Sequence, residues 1–309
     1  MSLQPTRSLT AAAVVAVTVL ALTACTNASD DTASGPSAGT ASFDPSTVQK
    51  DDALAGLVPA AIRSKGTLVI GSDTTFAPAE FLGGSDGQTA MGYDVDLAKA
   101  IGATLGLKVD VQSASFTSIL PALGPKYDLG VSNFFVKKER LQAVNMVTYA
   151  VGGSAWAVQA GNPKHFSPDD VCGKTLGVQT GSVQADDAAA LNTACSKAGK
   201  KAVDIITLDK QTDITTRLIN GSVDAMVSGS DVVGYAIQQS HGQIEKIGET
   251  YGSAPVGIAI AKNDSALASL VQKTIAKLIA DGDYRKILDS WNVADIAVTG
   301  SQLNPETAS

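Results

Sequence analysis

The sequence predicts an α/β fold in which strands and helices alternate and the sheets are largely parallel. Three observations carry this. Short apolar runs that end in glycine or a turn recur along the chain, beginning with Thr67-Leu-Val-Ile-Gly71. Between them lie stretches with helix-end signals: Asp94 stands where it can cap a helix over 95–105, and Gly106 follows its last residue. Further on, Leu267, Leu270, Val271, Thr274, Ile275, Leu278 and Ile279 recur at spacings of three and four, one face of an amphipathic helix. Alternation of this kind layers helices on strands.

The first element in chain order is an address. Arg7 gives residues 1–24 a positive start, and 9–22 is an apolar run without charge, too short for a comfortable membrane span of about 20 residues. The run ends at Leu22-Thr23-Ala24-Cys25, which resembles the lipobox of bacterial lipoproteins. That resemblance implies cleavage before Cys25 and lipid on its sulfur, so the mature chain is expected on the outer face of the bacterial cell membrane. With Cys25 so used, Cys172 and Cys195 remain as a pair in an oxidising compartment, and a disulfide is expected between them. Residues 25–52 are dominated by Ser, Thr, Ala, Gly, Asp and Pro and read as a flexible tether.

From residue 53 the alternation begins. Strands are expected over 67–71, 107–112, 127–132, 155–159, 175–179, 203–208, 223–228 and 256–261. Open α/β sheets bind ligands beyond the carboxyl ends of their strands. That points to 73–76, 133–137, 180–183 and 228–231.

Composition excludes other classes. A chain of 309 residues, 44% hydrophobic, has room for two domains and is too apolar to be disordered. Lys and Arg number 23 against 30 Asp and Glu, a net charge of −7, the opposite of a nucleic-acid binder. Two His and three Cys are too scattered for a zinc site. No metal and no cofactor are expected. Gly173-Lys174-Thr175 looks like the end of a P-loop, but position 168 is Pro where the loop needs Gly. There is no G-x-S-x-G, H-E-x-x-H, G-x-G-x-x-G or C-x-x-C, and His165 and His241 read as surface residues, so no catalytic residue is assigned.

Eight further pieces occur in order: Gly66-Thr-Leu-Val-Ile-Gly-Ser-Asp73 with Phe76-Ala-Pro-Ala-Glu-Phe81; Gly92-Tyr-Asp-Val-Asp-Leu97; Phe116 with Ile119-Leu-Pro-Ala-Leu123; Tyr127-Asp-Leu-Gly-Val-Ser132; Glu139-Arg140; Cys172-Gly-Lys-Thr-Leu-Gly-Val-Gln179 with Gly181-Ser182; Asn220-Gly-Ser-Val-Asp-Ala225; and Gly282-Asp-Tyr-Arg-Lys-Ile287 with Trp291. Over 66–293 the chain thus resembles family 3 extracellular solute-binding proteins, the amino-acid receptors of ABC importers. The resemblance implies a two-lobed, periplasmic-binding-protein-like (type II) fold with a hinge. Lobe I would take 53–153 plus 255–300, lobe II 154–254, and 301–309 would form a tail. It also implies a monomer that closes on a small-molecule ligand and delivers it to a permease with its ATPase.

The resemblance also implies roles. Arg140 would grip the ligand's α-carboxylate, since a guanidinium bonds a carboxylate bidentately and stays charged. Thr180, Ser182 and Val183 would hold the same anion from lobe II through backbone N–H groups; Ser182 would also serve as a plain helix cap. Phe76 and Phe116 match the stations that sandwich the ligand's side chain; the alternative is two core aromatics. Asp73 would meet a polar or cationic side chain, or simply end a strand. Asn133, Ser228 and Gly229 complete the set, and Trp156 would pack near the cleft.

Two positions depart from the family pattern. Phe135 stands where a hydroxyl residue is usual, and Gly229 where an Asp binds the α-ammonium. A buried ammonium without a counter-charge is costly. Either Asp231 or Asp213 substitutes, or the ligand is a modified amine or a carboxylate without a free amine. Two other functions stay open: a dehydratase of cyclohexadienyl acids on the same fold, with Asp73, Glu80 and Asp231 the acids near the cleft, or a sensor acting through a separate signalling partner.

Overall fold

The computed structural model describes residues 43–306. The signal segment, Cys25 and most of the tether lie outside the described residues. The tether expected through residue 52 gives way to structure earlier. Asp44 caps a 3-10 turn over Pro45–Thr47, Val48 is buried in the core, and Asp51 caps the helix Asp52–Gly56 by accepting from Leu54 N at 2.9 Å. Polar composition hid this because the segment buries few side chains and is secured by capping acids.

Eleven strands follow: β1 Thr67–Ser72, β2 Thr75–Phe76, β3 Glu80–Gly83, β4 Thr89–Met91, β5 Lys108–Ser113, β6 Leu129–Phe135, β7 Val144–Gln159, β8 Thr175–Gln179, β9 Asp204–Leu208, β10 Ala225–Gly229 and β11 Ile244–Ala261. Eight form one sheet in the order β5-β1-β6-β11-β7-β10-β8-β9. Its two ends are parallel, as expected: β1 pairs with β5 and β6, and β8 with β9 and β10. Its middle is antiparallel: β7 and β11, far longer than the short strands expected there, run side by side from Val144↔Ala261 to Gln159↔Ile244. Their pairing loses register between Ile247 and Ala254. β7 and β11 are therefore the two strands shared by both lobes, and the irregular stretch is where the sheet can bend.

Each lobe has its own core. In lobe I, Leu68, Ile70, Leu97, Ile101, Leu129, Ile258 and Ile260 pack with Leu267, Leu270, Val271, Ile275 and Leu278 of the helix Ser265–Asp281. Each such side chain contributes about 1.5–3 kcal/mol of transfer free energy. In lobe II, Val158, Phe166, Leu176, Val178 and Val227 pack around Trp156, which lies against Phe166 and Tyr251. Trp156 is thus a core residue of this lobe. A disulfide joins Cys172 to Cys195.

Three local departures have clear causes. The helix begins at Tyr93, so Asp94 lies inside its first turn and is not its cap. β6 starts at Leu129 because the Asp128 carboxylate takes the Val69 N–H, at 2.7 Å, at the ladder's edge. The segment after residue 297 is no free tail: Thr148 N donates to Gln302 O at 2.9 Å, Asn304 N to Met146 O at 2.8 Å, and Met146 N to the Asn304 side chain at 2.9 Å. These bonds satisfy backbone groups on the outer edge of β7.

Candidate ligand-binding cleft

The strand ends named from the sequence converge between the lobes. From lobe I come Asp73 and Phe76 after β1, Phe116 after β5, and Asn133 at the end of β6 with Arg140 beyond it. From lobe II come Thr180 to Ser182 after β8, joined by Gln179 at its last position, and Gly229 at the end of β10 with Asp231 beyond it.

Arg140 is buried on the short helix Lys138–Ala143. Its Nη1 donates to Phe135 O at 2.8 Å, and its Nη2 crosses to Gly181 O at 3.1 Å. The guanidinium also lies over the rings of Phe116 and Phe134, 5.3 and 5.5 Å from their centroids, and those rings stack at 4.7 Å. Burial pushes its pKa down to about 10, against the pull of Asp186 and Glu139, so it stays charged at neutral pH. Phe135 contributes its carbonyl; its ring packs against Gly152 and Val256 at the hinge and not into the cleft. Phe135 is thus among the residues expected at the site through its backbone alone, and the place of its ring follows from the alternation of faces along β6.

At Gly181 the backbone of lobe II passes close to Thr117 of lobe I. The Gly181 φ is +77°, and a Cβ there would lie 2.7 Å from Thr117 Cγ2. Ser182 is the expected cap: its Oγ accepts from Ala185 N at 3.1 Å and donates to Gln179 O at 2.8 Å. Thr180 N donates to Leu208 O, and Ser182 N to Gln179 O, so both amides are engaged in this form. Val183 packs against the core of lobe I.

Asp73 is nearly buried. Its Oδ2 accepts from Gln179 Nε2 at 2.7 Å, across the cleft, and its Oδ1 from Thr75 Oγ1 at 2.8 Å. Desolvation raises its pKa, with both hydrogen bonds opposing. Thr75 Oγ1 in turn accepts from Gln211 N of lobe II at 3.3 Å. Beside it, a groove of about 290 Å³ runs between the lobes, walled by Thr75, Gln211, Thr215, Val232 and Tyr235, with no charged side chain in its lining.

Asp231 lies in the first turn of the helix Ser230–Gln239. A Cβ on Gly229 would meet its Oδ1 at 2.7 Å and Phe76 Cζ at 3.7 Å. Its Oδ2 accepts from Tyr93 OH of lobe I at 2.6 Å. Tyr93 OH accepts in turn from Asn133 Nδ2. Asn133 adopts φ +45°, a region Asn tolerates better than most residues, and its backbone N–H donates to Asp94 Oδ2 at 2.8 Å. Asp231's pKa is raised by burial. Asp213 is exposed in the helix Gln211–Ile219, which removes it as an alternative. Ser228 is buried on β10 opposite Ala155.

Sequence reasoning missed Gln179 and Tyr93 as bridges between the lobes. Tyr93 lies in the Gly92–Leu97 motif, but a partner 138 residues away leaves no local trace. Among the described residues no group of three or more His, Cys, Asp or Glu could hold a metal. Among them, too, no helix is long and apolar enough to cross a membrane.

Known proteins give the geometry a family. The arginine-binding protein ArgT of Corynebacterium glutamicum is 30% identical over 255 residues, 82% of this chain and 83% of the relative. The solved structure of an ancestral arginine-binding protein bound to arginine is 33% identical, covers 73% of this chain and 98% of that one, and superposes with a TM-score of 0.67. An ancestral amino-acid-binding protein, a precursor of cyclohexadienyl dehydratase, is 26% identical over 75% of this chain and 97% of its own, with a TM-score of 0.64. The model of the bacterial extracellular solute-binding proteins, family 3, matches residues 68–294, and the chain belongs to that family.

Proposed function

We propose that this chain is the lipid-anchored receptor of an ABC importer and that it binds a cationic α-amino acid of the arginine type between its lobes. One observation carries the choice of ligand: the cleft holds one guanidinium, Arg140, and two carboxylates, Asp73 and Asp231. A cationic amino acid carries the complementary set of one carboxylate and two cations. Arginine-binding relatives support the same reading.

In this reading Arg140 exchanges the Gly181 carbonyl for the ligand's carboxylate, a charged and bidentate partner. Asp231 meets the α-ammonium, and the absence of a side chain at Gly229 leaves room for it. The modified-amine reading that Gly229 suggested from sequence then loses its main motive. Asp73 exchanges the Gln179 amide for the side-chain cation. Phe76 and Phe116 lie against the aliphatic stem. Closure engages both lobes through one ligand, and the closed form is what a permease with its ATPase reads. Cys25 carries the anchor, and the receptor works as a monomer without cofactor. The acids of the cleft act as ion partners and not as catalysts.

Thermal shift and calorimetry on the soluble body from residue 43 test this. The panel is arginine, lysine, ornithine, glutamine, glycine betaine and prephenate. Arginine at 100 times its dissociation constant should add about 2.7 kcal/mol of stability, and Arg140→Ala should abolish the effect. Response to betaine alone would restore the modified-amine reading, and consumption of prephenate would make the protein an enzyme.

A further inference from the structure

Behind the cleft lie two carboxyl groups with no exposure at all, Glu80 on β3 and Asp94 in the first turn of the helix Tyr93–Leu105. Glu80 Oε1 accepts from Ser132 Oγ at 2.8 Å, and Asp94 Oδ2 accepts from Asn133 N at 2.8 Å. The remaining oxygens, Glu80 Oε2 and Asp94 Oδ1, are buried with no N–H or O–H donor in bonding geometry. The two carboxyls lie within hydrogen-bonding reach of each other, and the buried Tyr149 hydroxyl faces them from β7. The further charges that act on the pair are Asp73 beyond β1 and Asp231 from lobe II, both acids. Among the described residues no lysine or arginine forms an ion pair with either.

Two ionised carboxylates cannot share such a place: each loses its water and repels the other. One proton between them turns the repulsion into a hydrogen bond. The surroundings say which group keeps it. Asp94 sits at a helix N-terminus and accepts a backbone N–H, both of which favour its charge. Glu80 has one neutral hydroxyl.

We infer that Glu80 is a protonated positioning residue at neutral pH, donating from Oε2 to Asp94 Oδ1, and that this bond holds both acidic arms of the cleft in place. One arm runs from Glu80 through Ser132, whose Oγ accepts the Asp73 N–H at 2.9 Å. The other runs from Asp94 through Asn133 and Tyr93 to Asp231. Neither Glu80 nor Asp94 has exposed surface for a ligand to touch. The pair sets where the two cleft carboxylates point, and it carries one negative charge where two would push them apart. The role of the arms rests on the binding reading above; the proton on Glu80 does not.

The test has a spectroscopic arm and a binding arm. Infrared spectra of the intact protein at pH 7 should contain the C=O stretch of a protonated carboxyl, and Glu80→Gln should remove it. Gln keeps a donor for Asp94 and an acceptor for Ser132, so Glu80→Gln should hold arginine within about threefold of the native affinity. Glu80→Ala leaves Asp94 Oδ1 without the Glu80 donor, Oδ2 keeping the Asn133 N–H, and should weaken arginine about tenfold or more, with circular dichroism unchanged. No protonated band at pH 7, or one indifferent to Glu80→Gln, overturns the inference. So does a Glu80→Gln protein as weak as Glu80→Ala, or a Glu80→Ala protein as tight as the native. The infrared arm needs no ligand, so a protein that binds no amino acid would sink the binding reading alone.

Discussion

The carboxylate of Asp231 occupies the space that a side chain at Gly229 would take: its Oδ1 lies 2.7 Å from the position of a Cβ there. The two positions compete for one place, and a Cβ at 229 would force the Asp231 carboxylate to shift. Gly229 has φ −53°, so an added Cβ strains contacts and not the backbone. Gly229→Ala should displace Asp231 and weaken arginine about tenfold, at a stability cost of about 1–3 kcal/mol. Asp231→Ala should weaken it more, because a buried ammonium loses its partner. The double change Gly229→Asp with Asp231→Ala should recover part of the loss. Titration calorimetry of the three proteins checks this, and a double variant no better than Asp231→Ala would show that the positions do not exchange.

Gly181 should be as intolerant for a different reason. Its positive φ and the 2.7 Å approach of Thr117 Cγ2 both oppose a side chain. Gly181→Ala should cost about 1 kcal/mol or more in stability and also weaken ligand binding, since the clash is between lobes. Adding Thr117→Ala should recover binding more than stability, because it relieves the clash and leaves the backbone strain. Melting temperature and affinity measured on the same samples separate the two.

Stability should fall as pH rises from about 4 to about 6. Burial holds Asp73, Asp96 and Asp231 above the usual carboxylate range, Glu80 well above it, and Asp94 up at about 6. A carboxyl with a raised folded pKa binds its proton more tightly in the native state, so folding loses free energy as pH climbs from the unfolded value through the folded one. The acids shifted the other way, Asp44, Asp52 and Asp86, are fully exposed and offset little. Urea unfolding at pH 5 and pH 7 should favour pH 5 by on the order of 1 kcal/mol or more. Asp94→Asn should flatten the difference, and greater stability at pH 7 in the native protein would contradict the account.

Opening the disulfide should destabilise lobe II. Cys172 and Cys195 are 23 residues apart, and Cys195 is buried among Val171, Val203 and Ala188. Closing a loop of this length contributes about 3 kcal/mol in the chain-entropy model. Replacing both with Ser should lower unfolding free energy by about that amount. A second, earlier transition in calorimetry would locate the loss in one lobe.

Much of this architecture was legible because it rests on local pattern. Apolar runs marked the parallel strands, and the three-four spacing from Leu267 to Ile279 marked the helix that covers lobe I. β2, β3 and β4 were not legible: two to four residues each, they form a separate small antiparallel sheet too short for any period to register. β7 and β11 were seen only in part, since glycines at 152, 153, 248 and 252 interrupt their apolar pattern. At the cleft, Arg140, Asp73 and Gly229 were singled out because motif and departure from motif both show in one dimension. Gln179, Tyr93 and the Glu80–Asp94 pair were not, because their meaning lies in partners from other elements. Asp94 has the sequence position of a helix cap, and its actual partners, Asn133 N and the Glu80 carboxyl, come from other elements.

The strap formed by residues 297–304 along β7 bears on how a reporter could be attached. Its bonds to Met146 and Thr148 lie at the start of a strand that continues without a break into lobe II. A fluorophore fused after Glu306 would therefore ride on lobe I, held to the lobe I part of β7. Its signal would stay nearly constant while the lobes close. One at Asp186, on the lobe II rim and 2.6 Å from Lys137 of lobe I, would register the same event at its fullest travel. Paired on a single molecule, the first serves as internal reference for the second, and an optical sensor follows from the route of the chain alone.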